Sequence, residues 1–228
     1  MTRARKGALA ALEARIGYRF KDDARAREAL RHGSALDQRS DLRSNERLEF
    51  LGDRVLNLVI AEELFKAFPT SAEGRLAPRF NALVDRTACA RVARRIGLGD
   101  ALEMSRSEEE SGGRDKDAIL ADACEALIAA IYLDDGFETA RDFVLRAWAE
   151  DLKTVEQSAR DAKSRLQEWA AARRKALRYR HLEREGPDHA PRFVVEAVID
   201  DVGAARGEGG SKREAEQAAA KALLEQLE

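Results

Sequence analysis

Cysteine is scarce in this 228-residue chain, which has only Cys89 and Cys124. A secreted disulfide scaffold is dense in cysteine and a zinc finger needs close Cys/His pairs, so both classes are excluded. The two thiols are expected buried and reduced, as in a cytoplasmic protein. Four prolines and 15 glycines exclude collagen-like and proline-rich fibres. No long hydrophobic run is present. The most apolar stretch, Ile119 to Leu133, is too short to span a bilayer and carries Asp122 and Glu125. The basic start, Met1 to Lys6, is followed by no uninterrupted apolar segment, because Glu13 and Arg15 intervene; a signal peptide and a membrane partner are not expected. Charge of one sign is also missing: Lys and Arg number 40 against 42 Asp and Glu, a net of −2. That total disfavours a nucleic-acid binder, whose usual footprint is basic. What is there is 44% hydrophobic residues, enough to bury a core and to exclude a wholly disordered chain.

Apolar residues recur at threes and fours from Ala8 to about Leu152, as in Leu48, Leu51, Val55, Leu58 and Val59, so residues 1–152 read as an all-α domain. Breaks are expected at Pro69, Pro78, Gly97-Leu98-Gly99 and Ser111-Gly112-Gly113. The polar stretch Lys153 to Arg160 reads as a linker. Residues 161–228 change rhythm: a helix over Ala162 to Arg174, strands over Leu177 to Glu185 and Arg192 to Ile199, a turn at Gly207 to Gly210, and a last helix opened by a Ser211/Glu214 capping box. The order α-β-β-(β)-α makes this an α+β domain.

Within Asn45 to Asp53, Glu46, Glu49 and Asp53 fall within about 60° of one another at the helical 100° per residue. Leu48, Leu51, Val55 and Val59 take the opposite side. A solvated acidic face would read the same way. The second acidic segment is different. Ile119 to Leu133 is apolar almost all round, so its helix should be buried. Asp122 and Glu125, three apart on one face, are its only charges, and it contains no Lys or Arg to pair them. Burying unpaired carboxylates costs several kcal/mol or drives their protonation. A hard divalent cation relieves this, and oxygen-only ligands suit Mg²⁺ or Mn²⁺ better than zinc. The three histidines, His32, His181 and His189, lack the Glu-x-x-His spacing of a di-iron bundle. Phe50 lies beside the acids and away from the packing face, where a partner subunit is a plausible host.

Asn45-Glu46-Arg47-Leu48-Glu49-Phe50-Leu51-Gly52-Asp53-Arg54-Val55-Leu56 closely resembles the signature of the bacterial ribonuclease III family. Ile119 to Leu127 resembles its second acidic block, and Glu73-Gly74 a further acidic position between them. Lys163 to Glu168 and Gly207 to Ala218 resemble a double-stranded-RNA-binding domain. The resemblance runs over essentially the whole chain. It implies a helical ribonuclease III domain followed by an α-β-β-β-α domain, and a Mg²⁺-dependent endoribonuclease, with Mn²⁺ able to substitute. It further implies hydrolysis of double-stranded RNA to 5′-phosphate and 3′-hydroxyl ends, in rRNA and mRNA processing. Glu49, Asp122 and Glu125 would bind metal. Asp53, with Glu125, would act in catalysis by placing the water and the scissile phosphate. Glu46 would contact RNA near the cut, Glu73 would support the metal site, and Phe50 would plug the partner in a homodimer. Two segments depart from the family pattern. Arg31 and Gly33 stand where Thr and Arg are usual, which predicts altered local packing. Extra acids at Glu109 and Glu110 are expected to loosen RNA contact.

A-form RNA is contacted through minor-groove 2′-hydroxyls and through phosphates. Gln167 and His189 suit the first, and Lys212 and Arg213, in the first turn of the last helix, suit the second. Residues 160–228 hold 14 Lys and Arg against 13 Asp and Glu, and residues 1–159 hold 26 against 29. The basic groups of the second domain must therefore be segregated in space to bind phosphate. A non-catalytic RNA binder of the same fold is disfavoured by the full set of acids. An unrelated metalloprotein is disfavoured by the Gly-x-Gly-x-Ser-Lys-Arg block.

Overall fold

The computed structural model describes residues 3–36, 42–69, 71–185 and 191–227, with the side chains of residues 3–6 and 157–160 left aside. The chain divides into two compact units, Met1–Leu152 and Lys153–Glu228.

The first unit is helical: α1 (Arg3–Ile16), α2 (Asp23–Ala29), α3 (Glu46–Ala67), α4 (Glu73–Val84), α5 (Arg86–Arg95), α6 (Arg106–Glu110) and α7 (Asp117–Ala147), with α8 (Ala149–Arg160) beginning at its end. Helix α7 is the hub, packed by α3, α5 and α2. Its first half is buried almost all round, from Ile119 through Ile131, as expected of a segment with only two charges. Gly136, at φ 88°, kinks it. Helix α3 buries Leu48, Val55, Leu56, Val59, Ile60 and Leu64 and stops two residues before Pro69. Trp148 is fully buried, and its Nε1 donates to Leu83 O at 2.7 Å.

Pro78 does not break the chain; it lies inside α4. A mid-helix proline forfeits one hydrogen bond and crowds the carbonyl four residues earlier. Here that residue is the exposed Gly74, whose carbonyl can turn to water. The glycine breaks do occur: Gly97 (φ 65°) and Gly112 (φ 80°) follow α5 and α6 in left-handed conformations.

The second unit contains α9 (Ala162–Ala172), β1 (Leu177–Glu185), β2 (Arg192–Ile199), β3 (Gly203–Gly209) and α10 (Lys212–Leu227). The antiparallel sheet has order β1-β2-β3, with a register shift between His181 and Glu183. Leu166, Ala197, Ile199, Ala219 and Leu223 form its core. Lys153 to Arg160, read as a linker, is helical as the continuation of α8. Gly207 to Gly209, expected in a turn, belong to β3. The glycines serve packing: a Cβ on Gly207 would lie 2.0 Å from Ala219 N, so α10 sits directly on the strand backbone. At the start of α10, Ser211 Oγ accepts from Glu214 N at 3.2 Å. Glu214 Oε2 reaches one residue further back than in a standard box and accepts from Gly210 N at 2.9 Å.

Candidate functional site

The acids meet where α3 crosses α7. A Cβ on Gly52 would stand 1.8 Å from Glu125 O and 3.2 Å from Ala129 N. Only glycine allows so close a backbone approach. The crossing brings Glu49, on α3, beside Asp122 and Glu125, on α7. Burial raises the carboxyl of Glu49 above its ordinary range, and Asp122 and Glu46 add to the rise. Asp122 is raised by burial. Glu125 is pushed up to about 7, first by burial and then by Glu49 and Asp122. Arg86 opposes the rise at Glu49 and Asp122, His32 at Asp122, and Arg54 at Glu125. These cations do not neutralise the cluster. The Cys89 thiol reaches Glu125 Oε1 at 3.8 Å, and both cysteines are buried and free, as expected.

Such a site holds negative charge at a free-energy cost and gains from any cation that enters. Among the described residues, no group of three or more His, Cys, Asp or Glu side chains is arranged to hold a metal ion by itself. The donor set is nevertheless that of a hard divalent ion: carboxylate oxygens, half-buried and mutually repelling. Mg²⁺ keeps several waters and is commonly held by one or two carboxylates rather than an all-protein cage.

The other expected residues are more dispersed. Asp53 accepts from Asn57 Nδ2 at 2.9 Å and is ion-paired with Arg54. Glu46 is exposed in the first turn of α3, and Glu73 is exposed in the first turn of α4. Glu46 contributes to the perturbation of Glu49; Glu73 is not among the groups that perturb the three acids. Phe50 is 67% exposed, with the Arg54 guanidinium 4.9 Å from its ring centroid. It belongs to a longer apolar stripe on α3 with Leu58 and Phe65, 58% and 72% exposed. By spacing Leu58 fits the core repeat. Spacing alone did not separate it, because it lies at the boundary between the two faces.

The departures from the family pattern are absorbed locally. Arg31 is nearly buried, with Nε 3.4 Å from Glu103 and Nη1 donating to Arg43 O at 3.0 Å. Glu109 and Glu110, expected to loosen RNA contact, are paired with Arg114 and Arg106 at 2.7 and 2.8 Å. Arg86, His32 and Cys89 were not singled out from the sequence as neighbours of the acids. No local pattern carries that information, since each comes from a segment remote in sequence.

In the second unit, Gln167 is exposed on α9, and Lys212 and Arg213 are exposed in the first turn of α10. Arg213 stands 3.8 Å from Asp161. His189 lies outside the described residues. On the sheet, bases and acids are interleaved. Arg178 pairs with Asp200, Arg180 and Arg206 with Glu196, and Arg192 with Glu208. The bases of the strands are thus matched by acids, while Lys212 projects beside the amides that open α10.

Comparison with known proteins agrees with this organisation. A family model described as ribonuclease-III-like matches residues 22–152, and a double-stranded RNA binding motif matches residues 162–227. Ribonuclease 3 of Cereibacter sphaeroides and that of Rhodobacter capsulatus are each 54% identical over 222 residues, covering 96% of this chain and of the relative. A solved nuclease domain of ribonuclease III from Campylobacter jejuni is 43% identical and superposes with a TM-score of 0.59, over 63% of this chain and 97% of that one. That structure is described as flexible in a region involved in dimer formation.

Proposed function

The chain belongs to the ribonuclease III family and is a double-stranded-RNA endoribonuclease; from that premise we propose that Glu49, Asp122 and Glu125 hold Mg²⁺, with Mn²⁺ able to replace it. The observation that carries this reading is the close crossing of α3 and α7 at Gly52, which sets the half-buried carboxylates of Glu49, Asp122 and Glu125 against one another. Bound there, the ion would offset charge on the scissile phosphate and supply an activated water. Asp53, held by Asn57 and Arg54, orients the water and the phosphate. Glu46 lies at the exposed edge of the cluster, toward the RNA. Glu73 supports the site from α4. Arg54 and Arg86, whose charges oppose the rise at these carboxyls, temper the field of the acids before the ion arrives.

The products carry 5′-phosphate and 3′-hydroxyl ends, and the substrates are structured regions of rRNA and mRNA in the cytoplasm. Gln167 and His189 contact the minor groove, and Lys212 and Arg213 contact phosphate. The protein is a homodimer that covers the α3 stripe, with Phe50 inserted into the partner. In support, Phe50, Leu58 and Phe65 expose large apolar surfaces along one helix. Among the described residues, no helix is long and apolar enough to cross a membrane.

The test is incubation of the full chain with a long RNA duplex, with and without Mg²⁺, followed by end-group analysis. Cleavage only with the metal, to ligatable 5′-phosphate ends, is expected. Glu125→Gln should lose cleavage and keep duplex binding. A wild-type rate in that variant, or cleavage in chelator, would remove the site assignment. Phe50→Glu should shift the sedimentation coefficient from dimer to monomer.

A further inference from the structure

Glu216 is an acid placed on a phosphate-binding helix. It lies one turn after Lys212, on the same face of α10, where an uncompensated carboxylate would repel RNA. Its side chain is only 16% exposed and faces Lys163 Nζ of α9, with which it forms a close ion pair. His181 Nε2, on β1, stands 3.4 Å from its other oxygen. The Lys163 ammonium also lies 5.1 Å from the centroid of the Tyr179 ring. The neighbouring residue completes the contact. Asp161, which precedes α9, provides no side-chain cap. The amide of Lys163, an orphan donor of the first turn, instead donates to Gln217 Oε1 of α10 at 3.1 Å. Two consecutive residues of α10 therefore grip one residue of α9, one by charge and one by capping.

We propose that Glu216 and Gln217 are positioning residues for RNA recognition, clamping the start of α9 so that Gln167 and Lys212 meet the duplex at a fixed separation. Gln167 is one turn beyond Lys163 on α9, and Lys212 one turn before Glu216 on α10. The clamp joins the two turns adjacent to the two contact points, and pairing with Lys163 neutralises the acid that the clamp requires. The inference rests on the reading that Gln167 and Lys212 touch RNA.

The sign of one substitution separates a clamp from a plain surface charge. Glu216→Gln removes a negative charge from the RNA face, and simple electrostatics predicts tighter binding. A clamp predicts weaker binding. Duplex affinity of the full chain is measured in chelator across a salt series, with far-ultraviolet circular dichroism confirming the fold. Glu216→Gln is expected to weaken binding roughly fivefold, with the salt slope unchanged because no phosphate contact is lost. Lys163→Met should do the same, and the double variant should bind no worse than either single one, since both break one interaction. Lys163→Arg, which keeps the charge and can reach Glu216, should restore affinity to within about twofold. Gln217→Ala, which removes only the cap, provides a second arm should Glu216→Gln fail to fold, and is expected to weaken binding in the same direction. Unchanged or tighter binding by folded Glu216→Gln overturns the clamp, as does a fall in salt slope for Lys163→Met. If Lys212→Ala leaves affinity unchanged, the RNA-contact reading fails instead.

Discussion

Glu125→Gln should make the metal-free protein more stable in a pH-dependent way. The Glu125 carboxyl rises from 4.5 to about 7 on folding. A carboxyl raised in the folded state favours folding most below its unfolded value, and that advantage is lost as pH climbs through the folded value. By pH 8 the folded protein holds this charge against burial and against Glu49 and Asp122. At about 1.4 kcal/mol per tenfold change, the full shift corresponds to roughly 3 kcal/mol. The site is partly open to solvent, which reduces the penalty to about 1–2 kcal/mol. Glutamine keeps the shape without the charge. The variant should therefore gain about 1–2 kcal/mol at pH 8 and under about 0.5 kcal/mol at pH 5. Millimolar Mg²⁺ should reverse the order, because an ion that binds only the folded state stabilises the wild type more. The assay is urea unfolding in chelator, followed by Trp148 fluorescence. A Trp169→Phe background isolates that signal, since the chain has two tryptophans and Trp148 is fully buried. A variant no more stable than wild type at pH 8, or a gain independent of pH, would refute the reasoning.

Three further outcomes follow from the packing and the charge pattern. Gly52→Ala should cost at least about 3 kcal/mol and lower metal affinity, because its Cβ would meet Glu125 O at 1.8 Å; urea unfolding and calorimetric titration with Mn²⁺ check it. Leu166→Ala, at a fully buried core position, should destabilise the second unit by about 2–5 kcal/mol, abolishing duplex binding on warming while Trp148 fluorescence stays native. Lys212→Ala should weaken duplex binding and lower the slope of log K against log salt by about one, measured by fluorescence anisotropy.

Much of the candidate site was legible before folding was considered, because its chemistry sits in short stretches. Glu46, Glu49 and Asp53 share a helix face by spacing alone. Asp122 and Glu125 stand out as the only charges in a buried helix. Phe50 could be recognised as misplaced relative to its own core, and 67% exposure agrees. Less legible were features that depend on what arrives from elsewhere. The glycines of β3 carry strong local signals for a turn, yet packing against α10 overrides them, and Pro78 stays within α4 because the carbonyl it crowds belongs to the exposed Gly74. Leu58 fits the core repeat and is exposed, because periodicity does not say where a packing face ends.

The near-neutral total charge shows the same division. Sequence was sufficient to place carboxylates on two helices and cations at the head of α10, since those placements follow from helical periodicity and capping. Which charges are cancelled depends on contacts across the fold. Glu109 and Glu110 are matched by Arg114 and Arg106, the strand arginines by acids of neighbouring strands and of the β2–β3 turn, and Glu216 by Lys163. Glu49, Asp122 and Glu125 are left facing one another. Coulomb energy depends on distance and solvent exposure, and both are set when α3 closes on α7 at Gly52, a contact between residues more than seventy positions apart in the chain.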